Sequence, residues 1–187
     1  MRRSSRAGLT LGETLVASAV MALLGTILAR TYTLAYRSYQ MNIGKLEVQQ
    51  RSRTALQRIT PILYAAIPTS NSAGQLQPAI LEPAVGPPPK SEIRFRVPVE
   101  PVDPRAPAYR IQRIWLEHGA VRLDRNTPSD PQDDRVLCQG LDALEFLVLS
   151  DSTIQVTARA RVPHYRSGEF HESRLQTMVQ LPFKAMR

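Results

Sequence analysis

The stretch Gly8-Leu9-Thr10-Leu11-Gly12-Glu13-Thr14-Leu15 decides how the rest of this 187-residue chain is read. Three arginines, Arg2, Arg3 and Arg6, precede it, and the run from Thr14 to Ala29 carries no charge and no proline. From Leu9 to Ala29 the chain would make a helix of about 31 Å at about 1.5 Å per residue, enough to cross the hydrocarbon core of a bilayer. A secretory signal would have a shorter apolar core with a small-x-small cleavage site after it. Ala17-Ser18-Ala19 imitates such a site, but apolar residues continue well past it. The basic leader favours a cytoplasmic N-terminus, an asymmetry softened by Arg30 and Arg37 on the far side. Glu13 is the one carboxylate at the edge of this span. Such a group costs about 2.5–3.5 kcal/mol at a membrane centre on insertion scales, less near the end, and by default marks function.

This arrangement of leader, glycine, span and early glutamate resembles the processing site of type IV prepilins and of type II secretion pseudopilins. The match covers roughly the first 30 residues. The resemblance implies cleavage after Gly8 by a membrane prepilin peptidase and N-methylation of the new terminal residue, Leu9. It also implies an assembly role for Glu13, whose carboxylate would pair with the terminal amine of a neighbouring subunit. Packed away from water, either charge alone is expensive, and pairing offsets both. The plainer reading is an interfacial glutamate that caps the helix start, favoured by the helix dipole. Leu9 stands where phenylalanine is commoner in the family, and Gly12 where a large apolar residue is usual. The implied partners are the peptidase, other pilin or pseudopilin subunits, an inner-membrane assembly platform and the lipid bilayer. The implied location is the bacterial inner membrane, with a single pass, a periplasmic C-terminal domain and extraction into a filament.

Formal charge is +8, and falls to +5 once Arg2, Arg3 and Arg6 leave with the leader. That excess suits nucleic acid or an anionic surface without singling out either. Cys138 is the sole cysteine, so no intrachain disulfide can form.

The order of elements reads as α+β and pilin-like: a long N-terminal helix, transmembrane in its first half, packed on a C-terminal antiparallel β-sheet. Residues 1–8 form the leader, 9–29 the transmembrane part and 30–67 an amphipathic continuation. Residues 68–107 are a proline-rich linker with a first strand, and 108–187 a β-rich domain. In the continuation, Tyr32, Tyr36, Tyr39, Ile43 and Leu46 trace one helical stripe; polar residues follow in Gln49–Arg53, and the stripe resumes with Leu56, Ile59, Leu63 and Ala66. Pro61 should kink the last turns and Pro68 end the helix, while Gly25 and Gly44 offer places to bend.

Ten of the fifteen prolines lie in 68–107, with extended polyproline character expected at 87–89. Ile93, Phe95 and Val97 alternate with arginines as a short strand. Tyr109–Leu116 and Ala120–Arg125 flank a hairpin turn at Glu117-His118-Gly119. Further strands are expected at Arg135–Cys138, Leu141–Leu149, Ile154–Val162 and Leu175–Phe183, giving one sheet of five or six strands covered by the helix's second half. Within the family these features look most like the J-type minor pseudopilins or W-type minor pilins.

No reaction chemistry is spelled out, and no catalytic, cofactor-binding or metal residue is assigned. His164 and His171, with Glu169 and Glu172, match no metal-ligand spacing and read as a solvated loop. Asp130, Asp133 and Asp134 could supply oxygen ligands to calcium, but lack the glycine and terminal glutamate of a calcium loop. Cys138 reads as a buried structural thiol. Arg94, Arg96, Arg159 and Arg161 alternate with apolar residues as any solvated strand face does, so nucleic acid is disfavoured as a partner. The expected function is a non-enzymatic minor pilin or pseudopilin, positioned at a filament tip. The alternative is a single-pass anchored periplasmic receptor or adhesin, with DNA contact as one variant.

Overall fold

The computed structural model describes residues 10–70, 76–99, 109–125, 134–163 and 168–182. It is an α+β chain: one long N-terminal helix followed by antiparallel β-sheets, with the helix's second half packed against them. Helix α1 runs from Leu11 to Tyr64, 54 residues or about 80 Å. It passes through Gly25, Gly44 and Pro61 without interruption, so neither glycine breaks it. It ends just before Pro68, as expected.

The chain divides into two units after Ile43. In the first, the helix is exposed along its length, with Leu15, Val20, Leu24 and Leu28 all open. The tyrosine stripe is exposed too: Tyr32, Tyr36 and Tyr39 stand free of the chain, and the rings of Tyr32 and Tyr36 stack with centroids 6.4 Å apart. Five hydroxyls on this helix are satisfied internally. Thr14, Ser18, Thr26, Thr31 and Thr33 each donate to a backbone carbonyl one turn back, at 2.8–2.9 Å. A helix that closes its own polar groups in this way suits a medium without water.

The second unit begins at Gly44. The strands are β1 (Thr69–Ser70), β2 (Leu76–Gln77), β3 (Ile80–Glu82), β4 (Glu92–Pro98), β5 (Tyr109–Glu117), β6 (Ala120–Asp124), β7 (Asp134–Gln139), β8 (Ala143–Ser150), β9 (Thr153–Pro163) and β10 (Phe170–Gln180). The expected single sheet is instead two meanders, β3-β4-β5-β6-β7 and β8-β9-β10, plus the small β1-β2 pair. The break falls at Gly140, whose φ of +84° takes the chain out of the first sheet; the N–H groups of Gly140 and Leu141 both donate to Gly119 O. The two sheets meet where Lys90 and Phe146 exchange backbone hydrogen bonds of 3.0 and 2.7 Å. The hairpin turn is as read: His118 and Gly119 both have positive φ, which a two-residue turn with right-handed twist requires.

Three expectations need correcting. Residues 79–82, expected as linker, belong to the domain: Ala79 and Ile80 are buried in the core and β3 pairs with β4. Residues 85–88 bend rather than run extended. The last strand starts at Phe170 rather than Leu175, so His171 and Glu172 are strand residues and not a solvated loop.

The helix enters the core through Val48, Ser52, Ala55, Ile59 and Leu63, spaced 4, 3, 4 and 4. Of these, Val48, Ala55, Ile59 and Leu63 join Ile93, Phe95 and Ile114 of one sheet and Phe146, Ile154 and Val156 of the other in one cluster. At about 1.5–3 kcal/mol for each large side chain fully buried, this cluster is the principal term holding the domain together. Val48 and Ala55 flank the stretch read as polar and Ser52 lies inside it: Gln49, Gln50 and Arg53 are exposed, but Ser52 is fully enclosed and donates to Ser173 O at 3.3 Å.

Candidate assembly site at the helix N-terminus

Gly8 and Leu9, the expected cut and methylated residue, lie outside the described residues. The described chain starts at Thr10, immediately before the first turn of α1. Thr10 Oγ1 accepts the Glu13 N–H at 3.3 Å. In return Glu13 Oε2 accepts the Thr10 N–H at 2.8 Å and the Thr10 hydroxyl at 3.1 Å. This is a reciprocal capping box: each side chain satisfies a backbone donor that the helix itself leaves open. The carboxylate also lies in the first turn, where the helix dipole favours negative charge.

Within the single chain, Glu13 thus does what the plainer reading assigned to it. All three bonds fall on Oε2 or on the Glu13 N–H; Oε1 has no partner among the described residues. Thr10 is the functional residue that sequence reasoning passed over. Its signal was present, because Thr-x-x-Glu before an apolar run is a capping pattern. Gly12 has nothing within 4 Å of where a β-carbon would stand, so no packing among the described residues demands a glycine there.

No family model, curated protein or solved structure matches this chain. α1 is the one helix among the described residues long and apolar enough to cross a membrane, by length and composition.

The other sequence candidates do not converge. Asp130, Asp133 and His164 lie outside the described residues, and Asp134 opens β7 at the surface. No group of three or more potential metal ligands forms among the described residues. His171 packs its ring against α1 at Gly44. Cys138 is half-buried on β7. Burial pushes its thiol above the ordinary value, opposed by the positive charge of Arg58 and by a backbone hydrogen bond from Val121.

The arginines considered for nucleic acid largely face carboxylates. Arg94 lies 2.8 Å from Glu92, Arg159 2.9 Å from Asp142, and Arg161 3.0 Å from Glu172. Glu92 also meets Arg113, whose guanidinium stacks 4.7 Å over the Trp115 ring. Hydrogen bonds and charge from Arg113 and Arg94 outweigh burial, which acts the other way, and hold the Glu92 carboxyl below its usual range.

Proposed function

We propose that the chain is a non-enzymatic structural subunit of a bacterial inner-membrane filament machine, of the minor pilin or pseudopilin kind. It is cut after Gly8 by a prepilin peptidase, methylated on Leu9 and stored with α1 in the bilayer. It then packs by that helix among other subunits, at or near a filament tip. The observation that carries this reading is Glu13. It is the only charged side chain between Thr10 and Ala29, on a helix otherwise apolar and exposed through this length. Among the described residues its Oε1 has no partner, and the cut after Gly8 would create an amine four residues before Glu13 in the sequence. In a packed bundle that oxygen is the natural acceptor for a neighbour's amine, because burying either charge alone in a low dielectric costs on the order of several kcal/mol.

The capping box favours a second reading. A glutamate already engaged by Thr10 is equally at home in a permanently anchored receptor or adhesin that keeps its leader. Intact mass spectrometry of the chain from cells with an active prepilin peptidase separates the two. A mature chain starting at a methylated Leu9 supports the subunit; a chain still starting at Met1 defeats it.

A further inference from the structure

Two larger sheets present four edge strands, and three are blocked. β3 is three residues long, has an irregular register and lies between Pro78 and Pro83. β7 has a register shift opposite Val121 and Arg122, and the Arg58 guanidinium donates to Leu137 O. β8 is covered by residues 86–90, through the Lys90–Phe146 bonds and Gly86 N to Val148 O at 2.9 Å. Short edges, bulges, prolines and covering segments are the devices by which proteins stop stray strands from adding.

Among the described residues, β10 carries none of them. It pairs with β9 over eleven residues without a shift, and contains neither proline nor lysine. Which of its backbone groups face away from β9 follows from the ladder. Phe146 gives both its backbone groups to Lys90, so its partner Val156 turns its own towards β10. Leu181 N to Ser152 O at 2.7 Å continues the same parity. Leu175, Thr177 and Val179 therefore bond to β9, while Gln176, Met178 and Gln180 direct N–H and C=O outward. Beside this row runs an open groove of about 550 Å³, whose lining is mostly apolar through Leu56, Pro61 and Tyr64 of α1 and Leu175 of β10, with Arg53 and Gln57 at its polar margin.

We propose that this edge takes an extended strand from another polypeptide, whose alternate apolar side chains lie in the groove beside Leu56 and Leu175. The backbone row supplies hydrogen bonds of one chemistry only, that of a β-strand, and the groove selects side chains on one face of it. A second copy of this chain fits less well. Its own α1 stands over the same face of its β10, as the Ser52–Ser173 bond places it, so two helices would compete for one groove. The charged side chains on this strand are already engaged, Glu172 with Arg161 and Arg174 with Glu145, leaving the Gln176–Gln180 edge uncharged.

The test is amide hydrogen exchange on the full chain in detergent micelles, with a lysine-flanked peptide of alternating threonine and valine as probe. Strand addition slows exchange at Gln176, Met178 and Gln180 by at least about tenfold. The amides of Leu175, Thr177 and Val179, already bonded to β9, stay unchanged. Met178→Pro removes one outward donor and abolishes the slowing at Gln176. Should that variant unfold, the alternation in the unaltered chain decides alone. No slowing, or equal slowing at odd and even positions, overturns the proposal. Slowing at even positions that rises with protein concentration in the absence of peptide also overturns it, because the occupant is then a second copy.

Discussion

A β-carbon placed on Gly44 would stand 2.6 Å from Cδ2 of His171, closer than real β-carbons approach any heavy atom. The helix needs a glycine there so that an imidazole from β10 can lie against its backbone at the point where the second unit begins. The glycine costs roughly 1 kcal/mol of helix propensity relative to alanine. Gly44→Ala regains that term but forces the ring aside, at a cost of about 1–3 kcal/mol for overpacking. The expected result is net destabilisation in thermal or denaturant unfolding. In a His171→Ala background the same change should become stabilising, and a double-mutant cycle showing simple additivity would refute the contact.

The same economy of size governs the helix further along. Ser52 and Ala55 are both small and both fully buried on the face of α1 that joins the core. Ala55→Leu raises hydrophobicity yet should lower stability by about 1–3 kcal/mol, since the extra methylenes have no space. Ser52→Ala should lose about 0.5–1.5 kcal/mol, the net worth of its bond to Ser173 O. Denaturant midpoints at unchanged slope would report both; an Ala55→Leu variant as stable as the parent would mean the helix can slide outward.

These positions explain how far the sequence could be read. The long helix, the β4 alternation and the His118-Gly119 turn were legible because each rests on local periodicity or on a local φ requirement. The buried stripe through Val48, Ser52 and Ala55 was not, because small and polar residues carry no hydrophobic signal; only the opposing strands make them core. The tyrosine stripe has the period of a packing surface and stays exposed in the single chain, so its periodicity alone does not say what covers it. The division into two sheets depends on one glycine, Gly140, whose positive φ cannot be told from an ordinary turn in sequence. At the site, Glu13 stood out by charge alone, whereas Thr10 needed its spacing to be noticed.

Cys138 gives a pH-dependent readout. Burial raises its thiol, against the pull of Arg58 and of the hydrogen bond from Val121. Its folded value thus lies above the unfolded one, so folding disfavours the thiolate. The stability this contributes is fully present below the unfolded thiol value and is lost as pH rises through the folded value. Alkylation near neutral pH should be slower than for a free thiol, and thiolate absorbance should titrate to the alkaline side of an unfolded control. Cys138→Ser should remove that alkaline loss from the stability profile. A thiol titrating below the control would contradict the burial seen on β7.

Thr10 separates the two roles that meet in Glu13. Thr10→Ala deletes the hydroxyl of the capping box and should cost about 0.5–2 kcal/mol of helix-start stability, while leaving the carboxylate in place. Glu13→Ala removes both the cap partner and the charge. Glu13→Gln keeps a hydrogen-bonding side chain that can still close the box but cannot neutralise an amine. If assembly depends on charge, Thr10→Ala should enter filaments nearly as the parent does, whereas Glu13→Gln and Glu13→Ala should both be depleted in sheared filament fractions despite normal membrane insertion and cleavage. If Glu13 serves only the helix start, Glu13→Gln should behave as the parent, and Thr10→Ala should be the more damaged of the two. Quantitative immunoblotting of membrane and filament fractions, with the N-terminus read by mass spectrometry, distinguishes these orders. The decisive comparison is Glu13→Gln against Thr10→Ala, because the first removes charge with the box intact and the second opens the box with the charge intact.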